Sequence, residues 1–270
     1  MKQLIVTADD FGLSKSISED IAKACREGIV TSINLLSTGR SFEESLYLIK
    51  DLKLEEIGAH LSLTGTIPAT YPGQIPTLIA KNGRFHKSYR NFFINLFLKK
   101  INREEVDLEL RNQLERLKRI GIPITNLTSH EHIHMMPELL NIFVDLAKEY
   151  RIPFIRYPRG DKLVRPLRGD KFFRLSLLSL FGKNMGHVIE RSGLRATDHF
   201  IGFLDSGNLN EEVLIRLLNK LEDGTTEMVC HPGCEGELAA LTARRVKKFI
   251  QDNGIVLTTF KNILSEKKQK

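Results

Sequence analysis

The chain lacks the long hydrophobic run that a membrane span or a secretion signal requires. Its first segment, MKQLIVTADDFG, carries only the short apolar run LIV before two aspartates, whereas a membrane helix needs about 20 apolar residues. Its three cysteines, Cys25, Cys230 and Cys234, are odd in number and do not form the pattern of a disulfide framework. We therefore expect a cytoplasmic protein in which the cysteines are small buried hydrophobes.

Linker-like stretches rich in proline, glycine and serine are also absent, as are internal repeats. With 41% hydrophobic residues in 270, the chain can build a substantial core. We therefore predict one domain over residues 1–270. The sequence contains no G-x-S-x-G elbow, which argues against a serine-nucleophile hydrolase.

Strand-like and helix-like segments alternate along the chain. The predicted strands are Leu4–Ala8, Ser32–Ser37, Ile57–Leu63, Ile124–His130, Phe154–Arg156, Thr197–Ile201, Glu227–His231 and Ile255–Thr259. Repeated strand–helix units indicate a parallel sheet, and this length suits a closed or nearly closed barrel. The predicted fold class is α/β, a distorted TIM-like (β/α) barrel with about seven or eight parallel strands.

Several helix ends have recognisable signals. The tetrapeptide Ser16-Ile17-Ser18-Glu19 has the form of a capping box, and Asn102 can cap the charged helix that follows it. Pro137 suits the first turn of the next helix. Gly28 and Gly121 lie where helix ends favour a left-handed residue.

Acidic and imidazole side chains recur where predicted strands end. They are Asp9, Asp10, His60, His130 and His231. Active sites of such barrels lie at the carboxyl ends of the strands. Two histidines and one carboxylate leave open positions on a divalent metal, as a catalytic site requires, and Asp10, His60 and His130 form our predicted ligand set. Taken alone, the two aspartates also fit a turn with a helix cap, and His60 also fits a core histidine.

Residues 128–137, TSHEHIHMMP, place histidines at every second position. Alternate side chains of a strand share a face, but three successive histidines cannot all be ligands unless the chain bends. His130 is the last residue of the predicted strand and is the best-placed ligand of the three histidines. We expect His132 and His134 to orient neighbours, contact substrate or cap the following helix. Asp198 and His199 lie near another strand end, where they could line the cleft or, as we favour, support the ligands.

Five motifs together carry a family resemblance. In chain order they are LIVTADDFGLS, GIVTSINLLSTG, IGAHLSLT, TSHEHIHMMP and EMVCHPG. Their order and approximate spacing resemble the YdjC-like carbohydrate deacetylases, which include the chitooligosaccharide deacetylases. The resemblance runs from residue 4 to residue 233, and residues 64–120 fit it only in general character.

The resemblance implies a distorted barrel that removes the acetyl group from an N-acetylated sugar of the N-acetylglucosamine type. It implies one divalent metal ion, Mg²⁺ or Zn²⁺, held by Asp10, His60 and His130. Asp9 would be the general base that accepts a proton from water, and His231 the acid that protonates the departing amine. A related hydrolase acting on another acyl group, such as that of a lipid-linked sugar, is the alternative within enzymes.

Charge and apolar runs raise further alternatives. Residues 156–195 hold ten basic and three acidic residues, and such a stripe could meet nucleic acid, an anionic membrane or an acidic ligand. A noncatalytic protein that binds nucleic acid or a membrane through this stripe is therefore the alternative outside enzymes, ranked below the hydrolases. We favour a solvated surface and expect no nucleic-acid partner. The apolar stretches 92–98 and 172–181 are too short to span a bilayer. They favour buried helices or a homodimer contact, with peripheral membrane contact as the alternative.

Overall fold

The protein is built on a parallel β-sheet that curls into a partial barrel and is flanked by helices. A computed structural model describes residues 1–86, 89–159, 182, 185–234 and 236–266. The strands are β1 (Lys2–Phe11), β2 (Ser32–Leu35), β3 (Ile57–Leu61), β4 (Ile124–Ser129), β5 (Phe154–Ile155), β6 (His199–Ile201), β7 (Gly224–Cys230) and β8 (Val256–Leu257). The helices are α1 (Lys15–Glu27), α2 (Phe42–Asp51), α3 (Tyr89–Phe97), α4 (Arg103–Lys118), α5 (Pro137–Glu149), α6 (Glu211–Asn219), α7 (Glu237–Thr242), α8 (Arg244–Asp252) and α9 (Phe260–Glu266). Residues 185–192 are also helical.

The strand order explains how the sheet curls. Seven strands follow the order β5-β4-β3-β2-β1-β7-β6, and the short β8 pairs with the amino-terminal half of β1. Arg195, shortly before β6, is hydrogen-bonded to the opposite edge, because its N–H donates to the Pro153 carbonyl and its carbonyl accepts from Ile155 N–H, both at 2.9 Å. The two edges of the sheet therefore meet. This architecture confirms the predicted TIM-like α/β fold, and each predicted strand overlaps an observed one.

Two of the predicted helix starts are confirmed and one is wrong. Asn102 caps α4, since its side-chain oxygen accepts from the Glu104 N–H at 2.8 Å, and Pro137 is the first residue of α5. The cap of α1 is Ser14, whose hydroxyl accepts from Ile17 N–H, and not the predicted Ser16. The helix already includes Ser16, because it starts at Lys15.

The two glycines at helix ends are needed for different reasons. Gly121 has φ +79°, the left-handed conformation that was predicted. Gly28 has φ −115° and is not left-handed, so that prediction is wrong for it. A Cβ on Gly28 would lie 2.5 Å from the Ala24 carbonyl oxygen and 2.7 Å from that of Leu241. Close packing of α1 against the carboxyl end of α7 therefore requires glycine there.

The first apolar stretch, residues 92–98, lies largely in α3. Phe92 and Leu96 are buried, while Ile94, Phe97 and Leu98 are exposed. The second apolar stretch, residues 172–181, and most of the basic segment lie outside the described residues. In the part of the chain that the structure describes, no helix is both long and apolar enough to cross a membrane.

The cysteines are only partly as expected. Cys230 is buried and Cys25 is half-buried, but Cys234 is exposed, so the prediction of a buried residue is wrong there. Cys234 lies in the turn after β7, where the chain leaves the sheet.

Candidate active site

A bulge at the end of β1 brings two successive carboxylates into the barrel opening. In a regular strand Asp9 and Asp10 would point to opposite faces. The pairing of β1 with β2 shifts register between Ala8 and Phe11, and Asp10 adopts φ +70°. Asp9 consequently lies inside the barrel, while Asp10 turns towards the histidines of β3 and β4.

Asp10, His60 and His130 form one compact cluster at the carboxyl ends of β1, β3 and β4. Asp10 Oδ1 lies 2.8 Å from His130 Nδ1 and 3.3 Å from His60 Nε2. One potential ligand atom from each residue lies within 4.8 Å of the others. One carboxylate oxygen and two imidazole nitrogens are a suitable donor set for a divalent metal with open positions. The structure therefore brings together the three predicted ligands.

The electrostatics of the cluster also suit a cation. Burial lowers the pKa of His130, but the charge of Asp10 and its hydrogen bond outweigh burial and raise it to about 9. Burial raises the pKa of Asp10, yet the two histidines hold it well below its usual value. The carboxylate thus stabilises a positive charge beside it, which a metal ion would also supply.

Asp9 lies deeper than this cluster and is tied to Arg156. The guanidinium makes two contacts, Nη1 to Oδ2 at 2.6 Å and Nη2 to Oδ1 at 2.9 Å, and Asn34 Nδ2 donates to Oδ1 at 2.6 Å. Burial alone would raise the pKa of Asp9, but Arg156, together with His60 and His231, outweighs burial and holds the pKa well below its usual range. Asp9 is therefore ionised at neutral pH.

A buried polar layer continues across the barrel from Asp9. Arg156 Nε donates to Glu227 Oε1 at 2.8 Å, and Asn126 Nδ2 donates to Asn34 Oδ1 at 2.8 Å. Between Asn34 and Asn126 lies Gly58, where a Cβ would come within 1.7 Å of Asn34 Oδ1. Glycine is therefore needed on β3 for the two amides to meet.

The prediction of a solvated basic stripe is wrong for Arg156. Its guanidinium has 0% exposure and neutralises carboxylates on β1 and β7. One signal in the sequence points to this role, since Arg156 ends a predicted strand and the functional residues of such barrels come from the carboxyl ends of the strands. Arg195, at the other end of the segment, is half-buried and lies over the Phe154 ring.

His231 follows β7 directly and lies beside Asp9. Ala8 of β1 pairs with Cys230 of β7, so the next residues, Asp9 and His231, are neighbours at the carboxyl edge. His231 Nδ1 lies 3.0 Å from Ser206 Oγ, and its backbone N–H donates to Glu237 Oε2 at 2.6 Å. Sequence reasoning did not identify Ser206 or Glu237, because their contacts join segments that are distant in the chain.

The other two histidines of the repeat are not part of the metal cluster. β4 ends at Ser129, and residues 130–135 form a 3₁₀ segment in which Glu131 and His132 have positive φ. His134 is buried, with Nδ1 2.5 Å from Ser129 Oγ and Nε2 3.2 Å from the Arg156 carbonyl. It therefore positions neighbours, which was one of the predicted options.

His132 packs edge-on against Phe203, with the ring centroids 4.4 Å apart. Its buried Nδ1 has no hydrogen-bond partner among the described residues. Burial and the nearby Arg156 keep the pKa of His132 well below its usual value and lower that of His134 to about 3. Both rings are therefore neutral at physiological pH.

Asp198 and His199 are not brought to this site. His199 is the first residue of β6 and pairs with Thr226, near the start of β7. Asp198 Oδ2 accepts from Thr225 N–H at 2.8 Å, and His199 Nε2 lies 3.1 Å from the Asp223 carbonyl. Both residues thus lie at the amino edge of the sheet, opposite the cluster. The prediction that they lie in or beside the cleft is wrong, because Asp198 precedes β6 and His199 begins it, so neither follows the strand.

The fold and the cluster define an α/β barrel protein with a candidate divalent-metal centre at the carboxyl ends of its strands. Residues 3–252 match the family described as YdjC-like protein, and the chain belongs to this family. This confirms the resemblance found in the motifs.

Relatives match the chain over nearly its whole length. A carbohydrate deacetylase of Brevibacillus brevis is 31% identical and covers 97% of this chain and 99% of its own length. A carbohydrate deacetylase of Thermoanaerobacter pseudethanolicus is 28% identical, with 96% and 98% covered. Among solved structures, a candidate cellobiose-phosphate cleavage protein of Enterococcus faecalis V583 has a TM-score of 0.76 at 25% identity, covering 97% of this chain and 98% of its own.

Proposed function

We propose that the protein is a metal-dependent hydrolase that removes the acetyl group from an N-acetylated sugar. The observation that carries the proposal is the cluster of Asp10, His60 and His130 beside Asp9 and His231 at the carboxyl edge of the sheet. The carbohydrate deacetylases that match nearly the whole chain support the substrate class.

Asp10, His60 and His130 would hold the ion. A divalent ion bound there would polarise the acetamide carbonyl and increase the acidity of the attacking water. The candidate ligands form a mixed set of nitrogen and oxygen donors. Such a set suits Zn²⁺ and also accommodates Mg²⁺.

Asp9 and His231 would move the protons. Asp9, kept ionised by Arg156, accepts a hydrogen bond from the water and takes its proton as the oxygen attacks the carbonyl carbon. His231 gives a proton to the amide nitrogen as the carbon–nitrogen bond breaks, which releases acetate and the free amine. Because Nδ1 of His231 lies against Ser206, its Nε2 is the nitrogen left for the substrate.

Acetate release is the direct test. Metal-stripped protein would be reconstituted with Zn²⁺, Mg²⁺, Mn²⁺ or Co²⁺ and assayed with N,N′-diacetylchitobiose and a panel of N-acetyl sugars. Ion-dependent release of acetate supports the proposal. Binding of a stoichiometric ion without acetate release from any sugar would redirect the search to other acyl groups, and failure to bind any ion would contradict the metal centre.

The contact between Ser206 and His231 predicts an effect on kcat that is separate from any effect on KM. Ser206→Ala removes one hydrogen bond that orients the ring, and we expect kcat to fall about 3–10-fold with little change in KM. Steady-state kinetics of acetate release measure both constants. Ser265→Ala, which removes an exposed hydroxyl at the carboxyl-terminal helix, is the control and should match the wild type. A rise in KM at constant kcat in Ser206→Ala would instead indicate a substrate contact.

A further inference from the structure

Thr128 is joined to the candidate ligand His60 across two neighbouring strands. The two residues are paired in the register of β3 and β4, and the Thr128 hydroxyl oxygen lies 2.9 Å from His60 Nδ1. Both side chains are buried, with exposures of 0% for Thr128 and 2% for His60. Because threonine is branched at Cβ, its hydroxyl has few alternative positions.

This contact decides which imidazole nitrogen faces the cluster. His60 Nε2 lies 3.3 Å from Asp10 Oδ1, so Nε2 is the nitrogen directed to the other candidate ligands. A neutral imidazole that binds a metal through Nε2 must carry its hydrogen on Nδ1 and donate it to an acceptor. The Thr128 hydroxyl oxygen is in position to accept that bond.

We infer that Thr128 is a positioning residue, which fixes the tautomer and ring orientation of His60 and thereby raises the affinity for a divalent ion. This inference rests on the metal centre of the proposed function. Without the hydroxyl, the Nδ1–H would be left buried and unpaired whenever Nε2 bound the ion.

The next residue offers a matched control. Ser129 Oγ makes the same kind of buried contact with an imidazole, at 2.5 Å from His134 Nδ1, but His134 is outside the cluster of candidate ligands. Because successive side chains of β4 alternate between faces, Thr128 and Ser129 serve different histidines from adjacent positions. Loss of the Thr128 hydroxyl removes one buried hydrogen bond, and loss of the Ser129 hydroxyl removes two, because Ser129 Oγ also accepts from His134 N–H at 3.0 Å. Of the two hydroxyls, only that of Thr128 touches a candidate ligand.

The experiment measures ion binding without any assay of activity. Metal-free wild type, Thr128→Val, Thr128→Ser and Ser129→Ala would be titrated with ZnCl₂ and with MnCl₂ by calorimetry. We expect Thr128→Val to bind about 10–100-fold more weakly, which is the usual effect of losing such a supporting contact. Thr128→Ser restores the hydroxyl and should bind like the wild type, as should Ser129→Ala.

Circular dichroism and thermal unfolding of the metal-free proteins separate binding from folding. If Thr128→Val does not fold, Thr128→Ala replaces it and is compared with Thr128→Ser. Equal affinity of the wild type and the variant without a hydroxyl would overturn the inference and leave the metal centre intact. A wild type that binds neither ion would overturn the metal centre as well, so the two failures are distinguishable.

Discussion

Replacing Asp9 with asparagine is expected to lower the rate constant of acetate release by about 10²–10⁴-fold, the usual contribution of a general base. An amide has almost the same shape as a carboxylate, but it cannot take the proton of the attacking water. Asp9 lies beside the candidate metal ligands but is not one of the three. The bound-ion content of Asp9→Asn should therefore stay near that of the wild type.

Glu227→Gln is the matched control for this variant. Glu227 and Asp9 both contact the guanidinium of Arg156. Either substitution therefore replaces one carboxyl partner of Arg156 with a neutral amide. Glu227 belongs to β7 and precedes its carboxyl end, whereas Asp9 lies where β1 reaches the opening. If Asp9 acts on the substrate, Asp9→Asn should lose far more activity than Glu227→Gln. Similar losses in the two variants would mean that Asp9 serves only to hold Arg156.

Replacing Arg156 with methionine is expected to reduce the free energy of unfolding by about 3–5 kcal/mol, as for other buried ion pairs that lose one partner. The change leaves Asp9 and Glu227 buried without their shared cation. Urea unfolding of the metal-free protein, followed by circular dichroism, measures the difference. Arg245→Met is the control, because the pair Arg245–Glu211 is exposed and should contribute less than about 1 kcal/mol.

The loss in Arg156→Met should depend on pH. In the wild type Arg156 holds the pKa of Asp9 below its unfolded value, so Asp9 adds stability above the unfolded pKa that disappears as pH falls through the folded pKa. Without Arg156, burial is the largest influence left on both carboxyls and acts to raise their pKa, which destabilises the fold only where they would be ionised. The difference between variant and wild type should therefore be largest near neutral pH and shrink towards about pH 4. A difference that stays constant over this range would contradict the assignment to unpaired carboxylates.

The order and type of the elements could be predicted because they depend on local patterns. Apolar runs bounded by helix signals identified every strand of the described residues, and the positions at the carboxyl ends of these strands identified Asp10, His60 and His130. The same reasoning failed for Asp198 and His199, because a residue just before a strand lies at the other edge of a parallel sheet. Because the exact limits of a strand are uncertain in the sequence, a polar residue near one of them can either precede or follow the strand.

The amino-acid sequence by itself determined the alternating strands and helices, the membership of a known family and the three residues of the candidate metal cluster. Only the tertiary structure decided that Arg156 is buried between Asp9 and Glu227, and that Thr128 contacts His60 and Ser206 contacts His231. The physical reason is the range of the interactions. Strand and helix patterns arise from neighbours in the chain, whereas these partners meet only after the sheet has taken its register, bulged at Asp10 and curled so that its edges join.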